Sequence, residues 1–144
     1  MNEDLKSLYR DTLLEHSRHP RNQGALAQAN ASAELKNPLC GDVVSIHIST
    51  HSDIVDQARF EAQCCSICMA SASMLTEAIA EEPIANAQRL ARSLIDQLKN
   101  ADQKLEFNPT LNSLSGVKSF PSRIRCATLP WEAMLDALEA ISPE

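Results

Sequence analysis

Val43-Val44-Ser45-Ile46-His47-Ile48-Ser49 is the stretch on which the fold class turns. Apolar residues recur at every second position, with Val44, Ile46 and Ile48 on one side and Ser45, His47 and Ser49 on the other. A period of two puts alternate side chains on opposite faces of an extended chain, so residues 43–49 are predicted to form a strand with one buried face. Downstream, His51-Ser52-Asp53 is a short polar turn and Ile54 to Ala62 is the partner strand of a hairpin. Upstream, residues 30–36 supply a third strand at the edge.

Away from these strands the period lengthens. Leu5, Leu8, Tyr9 and Leu13, with Thr12 at the margin, fall at three- and four-residue intervals, and Pro20 stops the run, so residues 4–18 are predicted to be helical. Residues 66–80 combine small side chains with Ile67, Met74, Leu75 and Ile79. Pro83 then opens an amphipathic helix with Ala87, Leu90, Ala91, Leu94, Ile95 and Leu98 on one face. Residues 107–125, marked by Pro109, Gly116 and Pro121, read as irregular. A last helix carries Trp131, Met134, Leu135, Leu138 and Ile141, with Pro130 expected in its first turn and Cys126 just before it. Grouped strands followed by helices predict an α+β arrangement, a small antiparallel sheet packed against helices.

The composition agrees with one globular domain spanning residues 1–144. Hydrophobic residues are 44% and charged residues 22% of 144, which excludes the disordered classes. The formal net charge of −6 speaks against nucleic acid or an anionic membrane as partner. With only 3 glycines, there is no GxGxxG or GxxxxGKS/T nucleotide-binding pattern. The amino-terminal MNEDLKSLYR is charged from its third residue and lacks the apolar core of a signal peptide. The longest uncharged stretch, Ala62 to Thr76, is 15 residues with three serines, too short and too polar to span a bilayer. Five cysteines, an odd number without an export signal, point to working thiols in the reduced cytoplasm.

Those thiols fall in three neighbourhoods: Asn37-Pro38-Leu39-Cys40-Gly41-Asp42, Cys64-Cys65-Ser66-Ile67-Cys68 and Arg123-Ile124-Arg125-Cys126. Each lies where a loop meets a regular element, and such junctions can converge at one end of a layered domain. A thiolate at a helix amino terminus faces unpaired N–H groups, which lowers its pKa. Arg123 and Arg125 add positive charge beside Cys126, and Asp42 offers a hard oxygen two residues after Cys40. Three thiolates and one carboxylate make a four-coordinate set that zinc accepts; the same set can hold an iron–sulfur cluster with Asp in place of one thiolate. Against this stands the plain alternative that each cysteine, taken alone, is a buried apolar side chain. His47 reads as a polar-face residue and His51 as a solvated turn residue. His16 and His19 have ligand-like spacing.

Taken together, the motifs resemble the iron–sulfur assembly proteins of the NifU amino-terminal, IscU and SufU family. Tyr9-Arg10-Asp11 through His16-Ser17-Arg18-His19-Pro20-Arg21-Asn22-Gln23-Gly24 looks like the family's opening helix and loop, which the resemblance implies is not its metal site, so His16 and His19 are not expected as ligands. Asn37-Pro38-Leu39-Cys40-Gly41-Asp42 looks like its first ligand motif. Ala58-Arg59-Phe60 through Cys65 and Ala70-Ser71-Ala72-Ser73-Met74 is similar to the second, and Arg125-Cys126-Ala127-Thr128-Leu129 with Trp131 resembles the third. The resemblance covers most of the chain, with four motifs in the family's order.

The resemblance implies a fold with a metal site at one end and metal binding by Cys40, Asp42, Cys65 and Cys126. It selects Cys65 over Cys64, which stands where the family usually has glycine. Cys68 stands where the family has a small residue. Both are read as small buried side chains, although either thiol could exchange with Cys65 or form a disulfide on oxidation. Arg125 occupies the place of a histidine typical of IscU, and Cys126 follows Cys65 by 61 positions, longer than is typical there. Both features resemble SufU. That likeness implies a zinc-dependent sulfurtransferase, with Cys40 as the catalytic nucleophile that takes persulfide sulfur from a SufS-like cysteine desulfurase. The alternative it leaves open is a scaffold, binding iron, on which a [2Fe–2S] cluster is assembled and passed to apo iron–sulfur proteins or other assembly factors. A third possibility is a structural zinc module that only docks to partners. Arg123 and Arg125 are expected on the rim of the site, in docking or in stabilising the thiolates.

Overall fold

The computed structural model describes residues 3–39 and 41–141, which places Cys40 outside the described residues. The chain runs α1 (Glu3–Arg18), β1 (Ala31–Asn37), β2 (Asp42–His51), β3 (Ile54–Gln63), α2 (Ser66–Ile79), α3 (Ile84–Lys99), α4 (Pro109–Asn112) and α5 (Ile124–Glu139). The three strands form an antiparallel sheet in the order β1-β2-β3.

The alternation in β2 sets the layering. Val44, Ile46 and Ile48 are fully buried, and Ile46 pairs with Ala33 on one side and Phe60 on the other. Burying side chains of this size stabilises the fold by about 1.5–3 kcal/mol each, enough to fix which face turns inward. Helix α5 lies against β1 and β2, α2 packs on α1, α5 and β3, and α3 packs on α5. Trp131, Met134 and Leu138 of α5, Met74 and Leu75 of α2 and Leu94 and Leu98 of α3 fill the space between the layers. Ser52 and Asp53 close the β2–β3 hairpin, both left-handed at φ 53° and 62°, the twist a two-residue hairpin loop requires. The register shifts between Ser49 and Thr50, so Ser49, expected on the polar face, is buried.

Local expectations differ from the structure at Pro130, at Cys126, in residues 107–125 and at Leu8. Pro130 is the seventh residue of α5, not part of its first turn, and Cys126 is the third residue of that helix, not a residue before it. A proline in a helix interior removes one ladder bond, because it has no N–H to offer the carbonyl four residues back. Here the burial of Cys126, Leu129, Trp131, Met134 and Leu138 on both sides of Pro130 holds the helix through that gap. Residues 107–125 are not irregular throughout; they wind into α4 and the 3-10 turns Ser113–Ser119 and Pro121–Arg123. Leu8, placed on the apolar face of α1 by its spacing, is 55% exposed.

Candidate metal centre

Three segments meet at one end of the sheet. β2 begins at Asp42, α2 is capped by Cys65, and Cys126 sits in the first turn of α5. One ligand atom from each of Asp42, Cys65 and Cys126 lies within 4.8 Å of the other two, the one such group among the described residues. Asp42 and Cys126 are buried and Cys65 is half-buried. Of the four residues singled out in the sequence, the structure brings these three together, while Cys40 lies outside the described residues.

Asp42 is held by the helix it faces. Its Oδ1 accepts the Cys65 backbone N–H at 3.0 Å, and its Oδ2 accepts from the Cys65 thiol at 3.8 Å. The carboxylate thus occupies the amino end of α2, where the helix dipole favours negative charge. Two sulfurs and a carboxylate oxygen suit zinc or iron by donor type. In a tetrahedral site with bonds of about 2.0–2.3 Å the donors stand roughly 3.3–3.8 Å apart, so atoms within 4.8 Å need close by only about an ångström to share one ion.

A second pair of thiols lies alongside. Cys68 is fully buried in the first turn of α2, and Cys64, just before the α2 cap, is half-buried. The Cys68 side chain lowers the Cys64 thiol below its ordinary range, against the opposing effects of burial and of Asp42. For Cys68 the Cys64 side chain, then burial and the nearby charges, push the thiol far up. The expectation of a small buried side chain therefore describes Cys68 but not Cys64.

Arg125 is paired within its own helix. Its Nε meets Glu132 Oε2 at 3.1 Å, and Thr128 Oγ1 donates to the same oxygen at 2.8 Å. Arg125 and Glu132 stand seven positions apart, beyond the three- and four-residue spacings at which helical side chains are expected to pair, so the partner was not legible. Further back, Ser71 ties the two ligand-bearing helices together. Its hydroxyl donates to the Ala127 carbonyl at 2.6 Å and accepts from Trp131 Nε1 at 3.0 Å, all of it buried. A serine in a run of small residues gives no sequence signal for such a bond. His47 does lie on the polar face, between Ser32 Oγ and Glu61 Oε1, each at 2.9 Å, and His51 is exposed. His16 and His19 are not in the cluster.

The family described as NifU-like N terminal domain matches residues 8–140. A protein of Bacillus subtilis (strain 168) named zinc-dependent sulfurtransferase SufU is 38% identical over 135 residues, covering 92% of this chain and 90% of that protein. The iron–sulfur cluster assembly scaffold protein IscU of Streptococcus pyogenes serotype M1 is 34% identical over 139 residues, covering 94% and 85%. Among solved structures, the amino-terminal part of a nitrogen-fixing NifU-like protein from Brucella abortus superposes with a TM-score of 0.81 at 20% identity, over 94% of each chain, a likeness of fold.

Proposed function

Because the chain belongs to the NifU-like N terminal domain family, whose work is iron–sulfur cluster assembly and sulfur handling, we propose that it is a zinc-dependent sulfurtransferase serving a cysteine desulfurase in the cytoplasm. The observation that carries this reading is the mixed donor group of Asp42, Cys65 and Cys126, beside which stands Arg125, a side chain that cannot ligate and is engaged by Glu132. Similarity to a named SufU supports the same choice.

Cys40, Asp42, Cys65 and Cys126 are the proposed ligands. Bound zinc would keep the thiols deprotonated at neutral pH. Cys40 is the acceptor: its sulfur attacks the outer sulfur of the desulfurase persulfide, the S–S bond breaks, the desulfurase thiolate leaves, and Cys40 carries the persulfide. Asp42 is the hardest donor of the set and the one most readily exchanged. Its hydrogen bond from the Cys65 N–H would hold the carboxylate at the site. The partner docks on the rim of the site. Leu39, 94% exposed, stands three residues before Asp42, and Phe120, 61% exposed, stands six before Cys126. Arg123 and Arg125 supply positive charge to the same rim.

The test follows desulfurase turnover, and persulfide on the chain by mass spectrometry, with zinc-loaded protein in catalytic amounts. Stimulation by the parent and none by Cys40→Ser, with the partner still bound, is expected. Arg125→Ala weakens stimulation while zinc stays bound. Full stimulation by Cys40→Ser overturns the assignment, and transfer of a reconstituted [2Fe–2S] cluster to an apo-protein then makes the scaffold the better account.

A further inference from the structure

Cys65 and Cys126, on different helices, bring two sulfurs within 4.8 Å of each other. The packing of the chain sets this distance. Ser71 of α2 donates to the Ala127 carbonyl at 2.6 Å and accepts from Trp131 Nε1 at 3.0 Å, which pins the first turn of α5 against α2 right beside Cys126. Bonded sulfurs stand about 2.0 Å apart, so the two have to approach by less than roughly 3 Å. Cys65 can supply that movement. It caps α2 with an extended backbone, φ −69° and ψ 168°, and one change of rotamer swings its sulfur by an amount of that order. The swing gives up only the long contact with Asp42 Oδ2 at 3.8 Å, while the Cys65 N–H keeps its bond to Oδ1 at 3.0 Å. Cys64 and Cys68 are not members of the group.

We propose that in the metal-free chain Cys65 and Cys126 close into a reversible disulfide on exposure to peroxide, so that loading of the site requires prior reduction. Cys65 is half-buried and Cys126 buried, so the oxidant meets Cys65 first. Its sulfur attacks one peroxide oxygen, the O–O bond breaks, Cys65 becomes a sulfenic acid, and the other oxygen leaves as water with the thiol proton. The Cys126 sulfur then attacks the Cys65 sulfur, the S–O bond breaks, and the hydroxyl departs with the Cys126 proton as a second water. Two thiols are oxidised, one hydrogen peroxide is reduced to two waters, and a dithiol reductant reverses the change. The new bond withdraws two donors from the group at once. A zinc ion bound to both sulfurs keeps them from the oxidant. The disulfide rests on the geometry; its effect on metal loading rests on the proposed ligand assignment.

The experiment treats the full chain with a small excess of hydrogen peroxide, once zinc-loaded and once after chelation, with reductant removed from both. Alkylation under denaturing conditions and fragmentation mass spectrometry then locate the linked cysteines. In the chelated chain Cys65 and Cys126 lose label together, appear as one linked peptide and regain label after dithiothreitol. The zinc-loaded chain keeps both labelled to a several-fold greater extent. Zinc uptake by the oxidised chain is several-fold lower than by the reduced one and returns with dithiothreitol. In Cys65→Ser the buried Cys126 keeps its label. Peroxide added in concentrated urea favours pairs among Cys64, Cys65 and Cys68 instead, because short loops close at lower cost. Full labelling of Cys126 in the chelated parent, a bridge that runs to Cys40, Cys64 or Cys68 in its place, or a 65–126 share no larger than in urea overturns the disulfide. A mapped 65–126 bond in a chain that still takes up zinc at the reduced level supports the disulfide and overturns the ligand assignment, so the two failures are told apart.

Discussion

His16 is the buried imidazole among the described residues, and its surroundings make stability depend on pH. Its Nδ1 is 2.8 Å from Ser73 Oγ, which also accepts the Arg21 backbone N–H at 2.8 Å and keeps its own O–H as a donor for an unprotonated ring nitrogen. Burial first, and then Arg21, lower the His16 pKa from its ordinary 6.5, with Glu77 and Glu15 opposing. Protons are therefore bound more readily by the unfolded chain. The neutral ring contributes its full stability above pH 6.5 and loses it as the pH falls from there through the lowered folded-state value. Urea midpoints measured from pH 8 to pH 5 should fall over that window, and His16→Gln should flatten the fall while costing about 1–2 kcal/mol at pH 8. An unchanged slope in the variant rejects this account. At Asp42 the hydrogen bond and the charge can be separated. Asp42→Asn keeps an acceptor for the Cys65 N–H, so it should fold as the parent does yet retain less zinc; Asp42→Ala should lose zinc and about 1 kcal/mol of metal-free stability. Zinc per chain at the parent level in both removes Asp42 from the ligand set. The residues of this end of the molecule were legible because soft and hard donors stand close in sequence at Cys40 and Asp42. The Ser73–His16 contact was not, since the two are 57 positions apart and neither carries a pattern that names the other.

Secondary structure was readable wherever burial follows a simple period. Val44, Ile46 and Ile48 announce β2, and the face of Ala87, Ala91, Leu94 and Leu98 announces α3, because side chains on one face meet one packed layer. The start of α5 was misread for a corresponding reason. Pro130 and the turn-rich residues before it are local signals, whereas what extends the helix back to Ile124 is burial of Cys126 and Ala127 against distant elements. The spacing between α2 and α5 is likewise tertiary in origin, and Ser71 is its test. Ser71→Ala leaves the buried Trp131 N–H and Ala127 carbonyl without this partner, and a cost of about 1–3 kcal/mol is expected in the denaturant midpoint. As Cys65 and Cys126 ride on those two helices, zinc affinity should weaken with it. A destabilised variant with parent affinity would show that the helix spacing does not set the site.

For the molecule as a whole, a ligand held only by the native state raises its stability. Zinc at about a thousand times its dissociation constant adds roughly 4 kcal/mol, and about 3 °C per kcal/mol for a chain of this length gives a fall on the order of 10 °C on chelation. Calorimetry with and without chelator measures it, and coincident melting curves exclude a tightly held metal. Among the described residues no helix is long and apolar enough to cross a membrane. The sheet's two margins are treated differently. Along β3, Gly24 N–H donates to the Phe60 carbonyl at 2.7 Å and Phe60 N–H to the Asn22 carbonyl at 3.1 Å, while at the other end Val55 exchanges hydrogen bonds with Glu81 and Glu82. The Asn22 segment is anchored in turn, since Asn22 Nδ2 donates to Thr76 Oγ1 at 3.1 Å and the Arg21 N–H to Ser73. Unpaired strand margins are the usual seeds of edge-to-edge polymerisation. Here a stray extended peptide meets a margin already clasped at both ends of β3, so lateral growth of the sheet is steered to β1, where outward-pointing Glu34 and Lys36 set charges in its path.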